Sequence, residues 1–214
     1  MLSIAMSTTL IVTVICADGV FVRSDKRNTI KHRNGPTEYH DDLNKVFVTT
    51  NRQVIIYNHG INRINGVPWH EHAANLAARL QQAPATNLPT ALDLAAALLD
   101  PAVAAELQRN KLDDFCAFVL IVRLPDGRYQ AGEVAWKRGA AVQKKPLGRF
   151  IRSGSGAKYL QPNALQNTSK HWSELTVDEA KAEVSALYAA AVQAQEAAQG
   201  QEFSPAYDDL AVTP

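Results

Sequence analysis

Short apolar segments separated by turn residues dominate the first sixty residues, which is the pattern of β-strands. The predicted strands are Thr8–Cys16, Val20–Ser24, Lys45–Thr49 and Gln53–Asn58. Gly19 lies in the turn between the first two, where we expect a left-handed backbone and therefore a hairpin. The polar stretch 25–42 contains Asn34-Gly35-Pro36 and is predicted to be a loop.

The hydrophobic period changes after Val67. Trp69, Ala73, Leu76 and Leu80 are spaced by four, three and four residues, which predicts an amphipathic helix that begins at Pro68. The next apolar stretch is interrupted at Asp100-Pro101. Because proline disfavours a continuing helix, we predict two shorter helices there, Thr90–Leu99 and Pro101–Asn110.

Strands return in the second half of the chain, together with one long helix. The predicted strands are Phe115–Arg123, Arg128–Trp136, Phe150–Arg152 and Asp209–Thr213. A small helix is expected near Ala157, and an alanine-rich helix from Val177 to Ala198, with Thr176 and Glu179 as a capping box. This order predicts an α+β fold, in which antiparallel sheets carry helices on their outer faces.

Composition narrows the class of protein. A length of 214 residues favours a single domain spanning residues 1–214, and a formal net charge of +1 argues against nucleic acid or an anionic membrane as a partner. Two cysteines, Cys16 and Cys116, cannot form a disulfide framework. The apolar N-terminus lacks the basic residues and cleavage site of a signal peptide, and no stretch of about 20 apolar residues is evident. We therefore expect a cytoplasmic protein.

Three residue types at the start of the chain could activate a hydroxyl group. The first hairpin brings Asp25 back toward the threonine pair Thr8-Thr9, and Lys45 heads the next strand. A lysine ammonium stabilises a developing alkoxide, and a free α-amino group can accept the hydroxyl proton near neutral pH. The same residues also fit a β-branched strand with charged hairpin ends, and from the residues alone that structural interpretation is favoured.

The order of motifs resembles the β-type subunits of proteasomes and covers nearly the whole chain. The motifs, in chain order, are Thr8-Thr9-Leu10, Gly19-Val20-Phe21-Val22, Asp25-Lys26-Arg27-Asn28-Thr29, Leu43-Asn44-Lys45-Val46, Asn58-His59-Gly60, Arg152-Ser153-Gly154-Ser155-Gly156 and Asp209-Leu210-Ala211-Val212. Each motif is weak alone, whereas their order and spacing together are specific. Within this family the chain is most similar to the bacterial homologues: HslV, the Anbu-type proteins and the betaproteobacterial proteasome homolog.

The resemblance implies a four-layer αββα sandwich and an N-terminal-nucleophile threonine peptidase. An ungapped count back from Asp25 assigns Thr9 as the nucleophile, with residues 1–8 as a leader, while Thr8 is the alternative. The implied catalytic residues are Thr9, Asp25, Lys45, the backbone N–H of Gly60 with His59 as a second donor, Ser155 and Ser204. The implied substrate-binding residues are Arg27, Asn28, Thr29 and Tyr57.

Two positions depart from the family pattern. Gln201 stands where the family has an aspartate, so that Glu202 would have to substitute for it, and Thr8 precedes the nucleophile where glycine is usual. The resemblance further implies stacked rings of identical subunits that degrade peptides or unfolded proteins, with no cofactor. A regulatory ATPase cannot be deduced. The alternatives are a non-catalytic ring or scaffold subunit of the same fold, and an amidase that uses the same threonine on a small molecule.

Other chemistry is less well supported by the sequence. His70 and His72 are two residues apart on a predicted helix, so their side chains diverge and cannot share a metal ion. Gly154-Ser155-Gly156 lacks the lysine and spacing of a phosphate-binding loop. Cys16 and Cys116 lie in apolar strands and are expected to be buried, unreactive thiols. We predict no metal site.

Overall fold

The structure is a computed structural model in which residues 3–7, 9–32, 35–82, 87–109, 115–160 and 170–213 are described. The chain divides into two compact units, which are treated separately below. The first unit comprises Met1–Ser7, Asn28–Tyr39 and Lys45–Leu147. The second comprises Thr8–Arg27, His40–Asn44 and Gly148–Pro214. The prediction of one domain is not tested by this division.

The first unit is built on an antiparallel sheet. Its strands are β1 (Ser3–Ser7), β4 (Asn28–His32), β5 (Glu38–His40), β6 (Val46–Val48), β7 (Val54–Ile61), β10 (Phe115–Arg123), β11 (Tyr129–Lys137) and β12 (Gln143–Leu147). Their order across the sheet is β12-β11-β10-β7-β1-β4-β5, with β6 paired to β7. The small ribbon β8 (Arg63–Ile64) and β9 (Val67–Pro68) follows β7. Strand β10 has the predicted bounds, and its apolar run is buried as a central strand requires.

Two helices cover one face of this sheet. They are α1 (Trp69–Gln82) and α2 (Leu88–Arg109), and their apolar stripes pack against alternate residues of β7, β10 and β11. The prediction of two helices separated at Pro101 is wrong, because α2 runs through that proline. The buried stripe continues to Val103 and Leu107. We attribute the unbroken helix to this burial, which outweighs the roughly 3 kcal/mol cost of a proline inside a helix.

Because α2 is not divided at Pro101, it is long and apolar enough to cross a membrane by length and composition alone. The two shorter predicted helices were not. Its buried side chains belong to the core of the first unit. A core helix passes the same test, so the helix carries no argument for a membrane.

The second unit contains a four-stranded antiparallel sheet. Its strands are β2 (Ile11–Ile15), β3 (Val20–Asp25), β13 (Phe150–Ser153) and β14 (Tyr207–Val212), in the order β13-β2-β3-β14. Helix α3 (Val177–Ala197) packs on one face of it, with short 3₁₀ helices at Ser155–Tyr159 and Trp172–Glu174. The predicted capping box is confirmed: the Thr176 and Glu179 side chains each accept a hydrogen bond from the other residue's backbone N–H.

The hairpin β2–β3 is confirmed, although Gly19 is needed for a different reason from the one expected. Its backbone is not left-handed, since the described glycines with positive φ lie elsewhere in the chain. A Cβ atom on Gly19 would lie 2.1 Å from the carbonyl oxygen of Val212 in β14. Glycine is therefore required by the close approach of the neighbouring strand.

Two strand predictions need correction. The stretch 25–42 is not a loop throughout, because it contains β4 and β5. The first predicted strand, Thr8–Cys16, is shorter in the structure, where β2 spans Ile11–Ile15 in the second unit. A separate strand that was not predicted, β1, precedes it in the sheet of the first unit. The α+β fold with antiparallel sheets and flanking helices is confirmed, while the four-layer arrangement stays a prediction.

Candidate active site

Thr9 is a buried residue two positions before the start of β2. Its backbone N–H donates to Ser155 Oγ at 3.4 Å, and its carbonyl oxygen accepts from the N–H of Gly156 at 2.9 Å. The backbone N–H and carbonyl group of Thr9 are thus both bound by the first two residues of the 3₁₀ helix. Thr8, the alternative nucleophile, lies outside the described residues.

The turn at Gly154 can approach Thr9 only because it has no side chain. Gly154 has φ of 91°, in the left-handed region that favours glycine, and a Cβ there would lie 2.1 Å from the Thr9 carbonyl oxygen. Gly156 is similarly crowded, with a Cβ position 2.9 Å from that of Leu10. The two glycines therefore hold the turn that carries Ser155 against Thr9.

Asp25 is a fully buried carboxylate at the end of β3. Its Oδ1 accepts from the N–H of Leu10 at 2.7 Å, and its Oδ2 accepts from the N–H groups of Arg27 at 2.9 Å and Ser204 at 3.3 Å. Three backbone segments therefore meet at one carboxylate. One of them carries Thr9, so Asp25 fixes the position of the predicted nucleophile along the strand.

Ser204 is also buried, and its environment explains why the segment after α3 is ordered. Its Oγ accepts from the N–H of Ala206 at 3.0 Å, and its carbonyl oxygen accepts from the Tyr188 hydroxyl at 2.7 Å. Burial, together with the charge of Asp25, raises the pKa of Tyr188, so this hydroxyl stays protonated and keeps donating. The side-chain amide of Gln195 holds the backbone of Phe203, which precedes Ser204: its Nε2 donates to the Phe203 carbonyl oxygen and its Oε1 accepts from the Phe203 N–H, both at 2.9 Å.

The side chains near Gln201 depart from the expected arrangement. Glu202 was expected to substitute for the family's aspartate, but its carboxylate accepts from Lys158 Nζ at 2.5 Å and the Tyr159 hydroxyl at 2.9 Å. Burial alone would raise the pKa of Glu202, and these two hydrogen bonds lower it overall. Arg27 forms a bidentate pair with Asp41 at 2.9 and 3.0 Å, and its third nitrogen donates to the Gln201 carbonyl oxygen.

The remaining predicted residues lie in the first unit. Lys45 is buried directly before β6, and Tyr57 is buried in β7. Gly60, also in β7, has φ of 98°, and a Cβ on it would lie 2.4 Å from the carbonyl oxygen of Phe115. Thr29 is buried in β4, and Asn28 is half-buried at the start of that strand. The interaction of Lys45 with Asp25 and the oxyanion role of Gly60 stay predictions.

The predicted leader forms a strand, which the sequence did not suggest. Strand β1 pairs antiparallel with β4, where Met6 lies opposite Thr29, and with β7, where Ser7 lies opposite Gly60. In the order of the sheet, β1 joins β4 and β5 to the other strands. Residues 3–7 are therefore held as an extended strand between β4, which carries the predicted substrate-binding residue Thr29, and β7, which carries the predicted oxyanion residue Gly60.

A second polar cluster lies beside Gly60 in the same unit. His59 Nε2 is 3.3 Å from Glu133 Oε2, and Lys145 Nζ is 2.8 Å from Glu133 Oε1. The His59 ring also packs against Phe115, with 5.3 Å between ring centroids. Nε2 of His59 is thus directed at Glu133, and the histidine links β7 to β11 beside Gly60.

We expect this cluster to make stability depend on acid pH. Burial opposes ionisation of Glu133, but hydrogen bonds and charges from His59 and Lys145 outweigh it and lower the pKa of Glu133 below its ordinary value. A lowered folded-state pKa stabilises the fold above the unfolded-state pKa, near 4.3, and this stabilisation is lost as pH falls through the folded value. Urea unfolding between pH 7 and 3 should show a shallower acid loss for Glu133→Gln than for the parent chain. Glu71→Gln, at an exposed glutamate of α1, should follow the parent; equal slopes for all three would contradict the assignment.

Metal and thiol chemistry receive no support from the structure. Among the described residues, no group of three or more histidine, cysteine or acidic side chains is arranged to hold a metal ion. Cys16 and Cys116 are buried and form no disulfide with each other, and burial raises the pKa of Cys16 to about 12. A thiol with that pKa is protonated at neutral pH and is a poor nucleophile.

Solved structures of Anbu (ancestral β-subunit) proteins match almost the whole chain. Anbu from Yersinia bercovieri is 13% identical, with a TM-score of 0.62 over 95% of this chain and 81% of that one. Anbu from Hyphomicrobium sp. strain MC1 is 12% identical, with a TM-score of 0.62 over 95% and 82%. The helical assembly of the Anbu complex from Pseudomonas aeruginosa is 12% identical, with a TM-score of 0.57 over 95% of this chain and 81% of that one. The fold is that of Anbu.

The likeness to Anbu supports the proteasome-like fold that the sequence motifs implied. Anbu proteins share the proteasome-like fold of N-terminal-nucleophile hydrolases. No family model matches the chain, and no curated protein matches it. At 12–13% identity the likeness to Anbu shows the fold alone, so the chemistry has to be argued from the residues around Thr9.

Several residues of the site were not predicted. Gly154 and Gly156 were recognised only as part of a motif, and their crowding against Thr9 and Leu10 depends on strand pairing that no local pattern reveals. Asp41 lies in a polar stretch with no periodicity, so its pairing with Arg27 had no sequence signal. Asn62 follows β7 and likewise gave no signal, although it bonds to Asn28.

Proposed function

We propose that the chain is a threonine-type N-terminal-nucleophile peptidase related to the bacterial proteasome homologues. The observation that carries the proposal is the buried Thr9, whose backbone nitrogen faces Ser155 Oγ and whose following N–H is bound by Asp25. Once the bond before Thr9 is broken, that nitrogen becomes a primary amine. Such an amine titrates near neutral pH and can accept the proton of the Thr9 hydroxyl.

The first reaction is removal of the leader. The Thr9 hydroxyl attacks the carbonyl carbon of residue 8, and the peptide C–N bond breaks as an ester C–O bond forms, with the hydroxyl proton passing to the freed amine of Thr9. Water then hydrolyses the ester, which releases the leader as a carboxylic acid and restores the Thr9 hydroxyl. Peptide substrates then follow the same course: the hydroxyl forms an acyl-enzyme, the amine delivers the proton to the leaving nitrogen, and water releases the acyl group. The roles of Lys45 and of the Gly60 N–H in stabilising charge are carried over from the resemblance.

The strand β1 supports a peptide as the substrate. It is an extended segment that pairs with a strand on each side and ends two residues before Thr9 in the sequence. Backbone pairing of this kind accepts many sequences, because the hydrogen bonds come from the main chain. We therefore expect peptides or unfolded chains rather than small amides as substrates.

We further propose that identical subunits assemble. The Pseudomonas aeruginosa Anbu complex, which shares the fold, is described as a helical assembly. Stacked rings, as the resemblance implies, would confine the active sites, and we propose the cytoplasm as their location. Light scattering on the purified chain would measure the assembled mass.

Intact-mass spectrometry tests the proposed peptidase. We expect the purified chain to lose residues 1–8 on incubation at neutral pH and then to hydrolyse a fluorogenic peptide library. Loss of residues 1–7 instead would assign the nucleophile to Thr8. A chain that keeps its leader under all conditions and hydrolyses no peptide would support the non-catalytic alternative.

A further inference from the structure

The two strands that flank β1 are joined by a side-chain hydrogen bond. Asn62 Nδ2 donates to Asn28 Oδ1 at 3.3 Å. Asn28 directly precedes Thr29 in β4, and Asn62 directly follows Ile61 in β7; both Thr29 and Ile61 lie opposite Met6 of β1. Since β4 and β7 are separated by one strand, about 10 Å, the two amides reach each other past one face of β1.

Near the Asn28–Asn62 hydrogen bond lie two polar groups whose hydrogen bonding is incomplete. Asn62 is 6% exposed, and its Oδ1 has no hydrogen-bond partner among the described residues. The indole N–H of Trp69 is also buried without one, and the Trp69 backbone N–H donates to the Asn62 carbonyl oxygen at 2.9 Å. A buried acceptor without a partner costs free energy, so it is a group that a bound donor would stabilise.

A third amide completes the polar lining without competing for that acceptor. Asn58, two residues before Gly60, is 1% exposed, and its Nδ2 donates to the Ile61 carbonyl oxygen at 2.7 Å. Its amide therefore fixes the turn at the end of β7 that carries Asn62. Aliphatic side chains at these three positions would offer no hydrogen bond, whereas all three residues carry carboxamides.

We infer that Asn28, Asn58 and Asn62 form a hydrogen-bonding floor beneath the slot that β1 fills, and that Asn62 Oδ1 selects a peptide side chain that donates a hydrogen bond. This inference rests on the proposed function, in which release of the leader opens the slot to substrates. The favoured substrates carry serine, threonine, asparagine or glutamine at one of the three residues before the cleaved bond, the positions of Met6, Ser7 and Thr8. Leucine or phenylalanine there would leave the Asn62 acceptor buried without a partner.

A peptide library tests the inference. The full-length chain, allowed to release its leader, is incubated with peptides randomised at the three residues before the cleaved bond, and the products are quantified by mass spectrometry. We expect hydrogen-bond donors to exceed leucine and phenylalanine about tenfold at one position, the effect of one net hydrogen bond. Asn62→Leu should abolish that preference, and Asn28→Ala, at a half-buried position, should weaken it. Gln82→Leu, an exposed amide on α1, should leave the preference unchanged.

The outcomes separate the inference from the proposed function. If the parent chain, Asn62→Leu and Asn28→Ala all cleaved peptides with the same preference, the selective role of the amides would be overturned. The proposed peptidase would still stand, and a bound water would be the partner of Asn62. Preference for leucine or phenylalanine in the parent chain would overturn it as well. Absence of both leader release and peptide cleavage would overturn the proposed function, and this inference with it.

Discussion

Replacing Thr9 with alanine should leave residues 1–8 attached and lower peptide hydrolysis by about 10³-fold or more, since the proposed nucleophile and the proposed base belong to this one residue. The backbone nitrogen bound at Ser155 would stay a peptide N–H, which cannot accept a proton. Thr9 is buried, but its replacement by alanine removes only a small side-chain volume. Intact mass and hydrolysis of a peptide library measure the two effects on one sample.

Two matched variants distinguish the chemistry from the position. Thr9→Ser keeps a hydroxyl and should retain leader release at a reduced rate, whereas Thr8→Ala should still release a fragment that ends at residue 8. Circular dichroism would establish that all three variants fold. Leader release by Thr9→Ala, or its loss in Thr8→Ala alone, would contradict the assignment of Thr9.

The placement of Thr9 illustrates what local pattern can and cannot predict. The apolar run 8–16 indicated a strand, and the structure has one, but it begins only at Ile11. The segment before Thr9 pairs with β4 and β7, which are distant in sequence, and no periodicity within residues 1–9 reveals that pairing. Strand partners are set by the whole sheet, so the predicted leader could be identified from the resemblance but not its place in the fold.

Polar strands and proline-containing helices were missed for a related reason. Strands β4 and β5 are short and rich in charged or amide side chains, which is typical of loops as much as of the edge of a sheet. In α2 the local preference of Pro101 for a break is outweighed by burial of the residues on both sides of it. In each case the deciding free energy comes from tertiary packing. Helix α1 has a clear apolar stripe, and it begins within one residue of the predicted start with all four predicted stripe residues buried.

The candidate site divides in the same way. The titratable or nucleophilic residues Thr9, Asp25 and Lys45 could be proposed from the family resemblance, because that chemistry is restricted to few residue types. The residues that position them carry no such restriction: Gly154 is required by one close contact, and Asp41 by one ion pair. The spacing suggested that Glu202 takes the role of the family's aspartate, which is absent here. In the structure, however, Lys158 and Tyr159 bind the Glu202 carboxylate.

Asp25→Ala should be among the most destabilising single substitutions in the chain. The carboxylate is fully buried and accepts the N–H groups of Leu10, Arg27 and Ser204, so its removal leaves three backbone donors without their acceptor. An unsatisfied buried donor costs about 1–3 kcal/mol, so we expect a loss of about 4 kcal/mol in the free energy of unfolding. Urea unfolding followed by circular dichroism measures it.

Asp25→Asn should fall between the parent chain and alanine, because the amide keeps one accepting oxygen but turns its NH₂ group toward at least one backbone donor. Loss of the Leu10 contact would also free the strand that begins at Thr9, so leader release should slow even where the variant stays folded. Asp126→Ala is the matched control: that carboxylate likewise accepts a backbone N–H, from Arg128, but in an exposed hairpin turn. There water replaces the lost acceptor, and little change is expected. If Asp25→Ala unfolded at the same urea concentration as Asp126→Ala, the three bonds would contribute nothing beyond what solvent supplies, and Asp25 could not be what holds Thr9 in place.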